Sequence, residues 1–222
     1  MHILSKFSEM KINRLLLIVV YLFVSCNPAP EKGQQLKSEK NYCSTYKGQH
    51  LDRIAFPVGG IGAGMICIEG TGAFSHVSVR NTVEVYNEPL MFAAISIKGM
   101  ENGTKLLEGP VPTWKYFGNP STANGGERTS YGLPRFRNSD FEARFPFVTI
   151  HLTDREMLVA VKIKGWSPFI PGDADNSSLP FGGFEYIFKN TGSKKVEAVF
   201  SFNSVNFMQK GDGILTLSTE FI

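Results

Sequence analysis

The sequence predicts an all-β protein, an antiparallel β-sandwich of about eight or nine or more strands with long loops. Three observations predict it. Apolar residues recur with a period of two over many short runs. Clusters of Gly, Pro and Asn punctuate those runs. After the N-terminal segment no stretch carries an i, i+3, i+4, i+7 apolar pattern of helical length.

The predicted strands are, in order, AGMICIE (63–69), FSHVSVR (74–80), LMFAAISIK (90–98), FPFVTIHL (145–152), LVAVKIKGW (158–166), FEYIFKN (184–190), VEAVFSFNSV (196–205) and GILTLST (213–219). In VEAVFSF, Val196, Ala198, Phe200 and Phe202 fall on one face and Glu197, Val199 and Ser201 on the other. The first face is core. Between FEYIFKN and VEAVFSF stand Thr191, Gly192, Ser193 and Lys194, a polar stretch that suits a hairpin turn, so these two strands are expected to pair antiparallel. Glu108 to Asp140, with Pro110, Pro112, Pro120 and Pro134, is expected to be extended loop, of a length that is usually functional, disordered or docked on something else.

The N-terminus carries an address. In MKINRLLLIVVYLFVSC (10–26), Lys11 and Arg14 precede an apolar run from Leu15 to Val24, the pattern of a secretory signal peptide whose true start is Met10. The run is too short for a membrane-spanning helix, which needs about 20 residues. Phe23-Val24-Ser25-Cys26 resembles a bacterial lipobox, with Phe in place of the usual Leu. Residues 1–25 are then the signal peptide, Cys26 is lipidated, and the protein is exported and anchored to the cell envelope, on its periplasmic or outer-membrane face. Ordinary cleavage with a free Cys26 is the alternative. Residues 26–50, rich in Pro, Glu, Lys, Gly, Gln and Ser, are expected to be a flexible tether, and 51–222 the sandwich. Cys43 and Cys67 could pair in such a compartment, or Cys67 could be a buried hydrophobe in its strand.

Several chemistries find little support. A formal net charge of +3 over 222 residues, with Lys and Arg scattered among acidic residues, makes nucleic acid an unexpected partner. FPVGGIGAG (56–64) concentrates Gly59, Gly60, Gly62 and Gly64, yet its spacing matches no phosphate-binding loop and a strand follows it rather than a helix. In SPFIPGDADNSSLP (167–180), Asp173, Asp175 and Ser177 take the first, third and fifth positions of a calcium loop, but Ser178 and Phe184 replace its Gly and Glu. Side-chain-to-backbone bonding in a polar turn is the expected role of Asp173, Asp175, Ser177 and Ser178. His50, His76 and His151 have no ligand spacing for zinc. No metal and no cofactor are expected. Glu69, Glu84, Glu88, Asp140 and Glu142 are carboxylates that glycoside hydrolysis could use, each also explicable as a surface residue; Trp114, Tyr116, Phe117 and Trp166 could offer sugar-stacking faces or belong to the core.

Three ordered segments carry a resemblance. Pro57-Val58-Gly59-Gly60-Ile61-Gly62-Ala63-Gly64, the run Ala143 to Phe147, and Ser167 to Pro180 resemble the P-L-G-G-I-G-x-G, A-R-[YF]-P-F and S-P-F-I-P-x-D-x-x-x-S-S-L-P segments of the N-terminal domain of glycoside hydrolase family 116. That family includes the bile-acid β-glucosidase, or non-lysosomal glucosylceramidase. The resemblance spans about residues 52 to 207. It implies a β-sandwich packed against a C-terminal (α/α)6 barrel that holds the catalytic carboxylates. The chain ends at Ile222 with no helical pattern to form a barrel. It is therefore expected to be a truncated part of an exported β-glucosidase-like enzyme, inactive alone, with no catalytic residue carried over. Gly59, Gly60, Gly62, Gly64, Asp173, Asp175, Ser177 and Ser178 are expected in docking loops. The alternative is a free-standing envelope lipoprotein that binds carbohydrate or another protein.

Overall fold

The computed structural model describes residues 44–79, 82–116 and 130–208. The signal segment, Cys26, Cys43, Phe117 and GILTLST lie outside them. Eleven strands are described: β1 (Tyr46–Lys47), β2 (Ala55–Val58), β3 (Met65–Glu69), β4 (Phe74–Ser78), β5 (Met91–Ile97), β6 (Thr104–Leu106), β7 (Asn138–Arg144), β8 (Phe147–Thr153), β9 (Val159–Trp166), β10 (Gly183–Asn190) and β11 (Ala198–Ser204). Two single helical turns, α1 (Thr113–Tyr116) and α2 (Ala174–Ser177), and a 3-10 turn at Gly48–Leu51 complete them.

All strand pairs are antiparallel. The order is β1-β7-β8-β9-β10 in one sheet, β11-β5-β6 in a second and β2-β3-β4 in a third. Register follows hydrophobicity, because a slip of one residue would turn every side chain to the opposite face. Ile150 sits opposite both Phe141 and Ile163, and all three are buried. Alternation continues through Val148, Ile150 and Leu152 on β8 and through Val159, Val161 and Ile163 on β9. Against them pack Ile68, Phe74 and Val77 of the third sheet and Ala93, Ile95 and Ile97 of the second, in one apolar cluster. This is an all-β sandwich. Removing a side chain such as Ile150 from so enclosed a site costs about 2–5 kcal/mol.

Several expectations need correction. The tether ends before residue 50, since Tyr46 and Lys47 already pair with Phe141 and Asp140. The predicted series begins at AGMICIE, yet a strand precedes it: the glycine loop joins β2 to β3, with Phe56 opposite Ile68 and Val58 opposite Ile66. Part of the predicted long loop is built into the fold, for Phe136 is buried, Lys115 is buried on α1, and β7 begins at Asn138.

The hairpin between FEYIFKN and VEAVFSF does not form. β10 pairs with β9 and β11 with β5, in different sheets. The turn's polarity is used locally, where Asn190 Oδ1 accepts the Gly192 N–H and Asn190 Nδ2 donates to the Lys194 carbonyl. The chain then crosses from one layer to the other. Tyr186 and Phe200 consequently face each other across the interior, 5.2 Å between ring centres, rather than standing side by side. The inner face assigned to Phe200 and Phe202 is the observed one.

Candidate docking surface at the motif loops

The three segments that carry the resemblance meet at one corner of the sandwich, and Ser167 joins them. Its N–H donates to the Pro146 carbonyl (3.1 Å), and its Oγ accepts the Gly59 N–H (3.1 Å). Thus the 57–64, 143–147 and 167–180 segments share one buried serine. A second tie runs from the Ile61 N–H to the Ser177 carbonyl (2.9 Å).

Glycine chemistry explains why these loops can approach. Gly60 lies directly against the Ser178–Leu179 backbone, and a Cβ there would collide with the Leu179 carbonyl oxygen. Only glycine fits. Gly62 differs, since its surroundings are open but its φ of +73° lies in the left-handed region that L-residues avoid. Gly59 and Gly64 also have positive φ.

The facing loop is held by its own side chains. Asp173 Oδ1 accepts the Asn176 N–H (3.0 Å) and caps α2. That bond, with a further one from the Asn176 side chain, holds the Asp173 carboxyl below its ordinary range. Buried Ser177 Oγ accepts the Ile170 N–H (2.9 Å) and donates to the Asp173 carbonyl (2.6 Å). Ser178 Oγ donates to the Ala174 carbonyl (2.7 Å). Asp175 is exposed in the first turn. The eight residues named from the sequence therefore lie in two interlocked loops.

Around this corner apolar side chains face solvent. Ile61, Phe145, Phe169, Ile170, Leu179 and Phe181 are each more than a third exposed. Phe145 meets Phe169 edge-on at 4.9 Å and Trp166 meets Phe181 at 5.8 Å, so the patch has its own internal packing. A cavity of about 380 Å³ opens here, lined by Ile61, Met65, Val83 and Phe145 among others. Exposed apolar area gathered in one place is the usual mark of a surface meant to be covered.

A sequence model of the family described as beta-glucosidase 2, glycosyl-hydrolase family 116 N-term, matches residues 55–215. The chain belongs to that family. No curated protein matches it. The match covers all three motif segments of this glycosyl-hydrolase family 116 N-terminal domain, and hence both interlocked loops.

On another part of the domain lies a charged cluster that sequence reasoning missed. Lys115 Nζ donates to Glu69 Oε1 (2.5 Å) and Glu88 Oε1 (2.8 Å), and Tyr131 Oη donates to Glu88 Oε2 (3.3 Å). Arg135 Nε donates to Glu108 Oε2 nearby (3.0 Å). Glu69, Glu108 and Lys115 are buried, which corrects the surface role open to Glu69. Burial pushes the Glu69 carboxyl up to about 7, against the pull of Lys115. Lys115 is itself held charged well above its ordinary value; burial opposes this, and its two carboxylates outweigh burial. Cys67 is a free, buried thiol on β3, pushed up to about 11 by burial and by the Glu69 charge. A thiol so held is a packing residue rather than a nucleophile.

The remaining sequence candidates scatter. His76 takes φ +50° at the β3–β4 bulge with its Nδ1 2.7 Å from Ser75 Oγ. Asp140 pairs with Lys47 at the surface (2.7 Å), and Trp114 donates to the Asp52 carbonyl (2.8 Å) beneath the Arg53 guanidinium.

Proposed function

We propose that this domain is the non-catalytic sandwich of an exported β-glucosidase-like hydrolase, and that the motif corner docks an (α/α)6 catalytic domain. That catalytic domain belongs either to a longer chain or to a separate protein. The observation that carries the reading is the convergence of three family segments, locked through Ser167, beneath a patch of exposed apolar side chains. Backbone this constrained holds a surface in fixed shape, and a preformed surface loses less entropy when it is covered.

The test is binding of a separately expressed family 116 catalytic domain, followed by calorimetry. Wild type is expected to bind, and Ile61→Asp or Leu179→Asp to weaken binding at least tenfold while thermal stability changes little. Equal binding by wild type and both variants would overturn the reading. The chain alone is expected to leave aryl β-glucosides intact, and turnover that survives purification would contradict this. Anchoring through Cys26 is part of the proposal: labelled palmitate should enter the wild-type protein and not Cys26→Ala.

The alternative, a free-standing lipoprotein that binds carbohydrate, has one feature in its favour. A groove of about 870 Å³ with mixed polar and apolar lining runs past Gln49, Asp52, Arg53, Trp114 and Asn138, which combines hydrogen-bonding groups with an indole. Retention on a polysaccharide column, lost in Trp114→Ala, would favour it.

A further inference from the structure

The groove that runs past Trp114 holds a cation that is fixed in place and unpaired. Trp114 stands on α1, and its indole N–H donates to the Asp52 carbonyl (2.8 Å), which sets the ring beside the next residue of the chain. The exposed Arg53 guanidinium lies over that ring, 4.3 Å from its centre. Stacking of this kind holds the planar donors in one orientation. The other two cations of the groove are already engaged: Lys47 pairs with Asp140 (2.7 Å), and Arg137 pairs with Glu156. Among the described residues no carboxylate lies within ion-pair distance of Arg53.

A second group also lacks a partner. Ser139 of β7 lines the groove and is 5% exposed, and its Oγ makes no hydrogen bond among the described residues. A buried hydroxyl left unpaired is costly, and a hydroxyl-bearing ligand can complete the bond. The rest of the lining is of two kinds. Asp52 and Asn138 offer hydrogen-bonding side chains, and the apolar residues 110–112 offer carbon faces. Such a surface suits a sugar ring, which has C–H faces and a rim of hydroxyls. Its volume of about 870 Å³ is that of a small-ligand site.

We propose that this groove binds an acidic saccharide, a uronate-containing chain, with the Arg53 guanidinium taking the sugar carboxylate through two parallel N–H donors. A planar carboxylate matches that fork in a way a neutral hydroxyl cannot. The proposal rests on the reading of this groove as a carbohydrate site and names the class of sugar it takes. It is independent of docking at the motif corner, whose cavity shares no residue with the groove.

The experiment uses the full chain and calorimetry with two probes, tetragalacturonate and its methyl ester, which keeps the sugar skeleton and removes the charge. Wild type is expected to bind the acid at least tenfold more tightly than the ester. Arg53→Gln should bring the acid to the affinity of the ester and leave the ester unchanged. Arg53→Lys, whose ammonium lacks the planar fork, should recover only part of the difference. Lys189→Gln, which removes an exposed charge from β10, should change neither affinity. Equal affinity for acid and ester would overturn the acidic class and leave the carbohydrate site standing, whereas binding of neither probe would overturn both. A loss in Lys189→Gln as large as in Arg53→Gln would reduce the attraction to net charge and overturn the role of Arg53.

Discussion

The motif corner and the Lys115 cluster solve opposite problems. At the corner, backbone is held mainly by neutral hydrogen bonds, with the Asp173 carboxylate capping one turn, so that apolar side chains stay outside. In the cluster, charged side chains are drawn inside and must satisfy one another. The difference lies in where failure would appear. A defect at the corner should first alter the shape of a surface, whereas a defect in the cluster should first alter the stability of the whole domain, because an unpaired buried charge has no water to relieve it.

The largest expected effect removes the cation. Lys115→Met should leave Glu69 and Glu88 facing each other with no neutralising partner, at a cost of about 3–5 kcal/mol in urea unfolding. Adding Glu69→Gln should recover part of that loss. Strict additivity of the two substitutions would mean that they do not share one network.

Titration sharpens the same side of the comparison. The Glu69 carboxyl sits at about 7 in the folded chain, above the ordinary 4.5. Its contribution to stability is therefore fully present below about 4.5 and is lost as pH rises through about 7. Relative to Glu69→Gln, wild type should lose about 3 kcal/mol between those limits. Parallel stability curves for the two proteins would show that Glu69 does not titrate there.

The corner should respond to shape rather than to pH. Gly60→Val places a side chain against the Leu179 carbonyl and should cost about 2 kcal/mol or more, since backbone must move. Gly62→Ala meets open space and pays only for its positive φ, about 1–2 kcal/mol. Equal losses would mean that the close approach of the two loops is unimportant.

The same contrast decides what could be read from the sequence. Gly60 and Ser177 were legible because close backbone approach and capping turns each demand a narrow set of residue types, so the requirement is written in the residue itself. Lys115 and Glu69 were not, because any Lys and Glu look alike until folding brings residues 46 apart in sequence within 2.5 Å. Strands β8 and β9 were legible from strict alternation. β7 was hidden because Ser139, Phe141 and Ala143 give its inner face only one large apolar residue, and β2 because Pro57 argues against a strand. The β10–β11 hairpin failed for a different reason. Thr191 to Lys194 have the composition of a turn, but composition does not say whether the chain returns along the same sheet or crosses to the facing one.

The smallest effect isolates Ser167. Replacing it with Ala removes the Oγ that accepts the Gly59 N–H but keeps the backbone N–H that reaches the Pro146 carbonyl. One half-buried donor is left unsatisfied, worth about 1 kcal/mol. Global stability would barely register it, so the useful measurement is amide hydrogen exchange. The Gly59 amide should exchange faster in Ser167→Ala while the Ser167-position amide stays protected. If docking depends on the joined corner, affinity for a catalytic domain should fall with the Gly59 protection, even though none of the exposed apolar side chains has been changed. Loss of both amides together would mean that the three segments form one cooperative unit in which Ser167 is not a separable link.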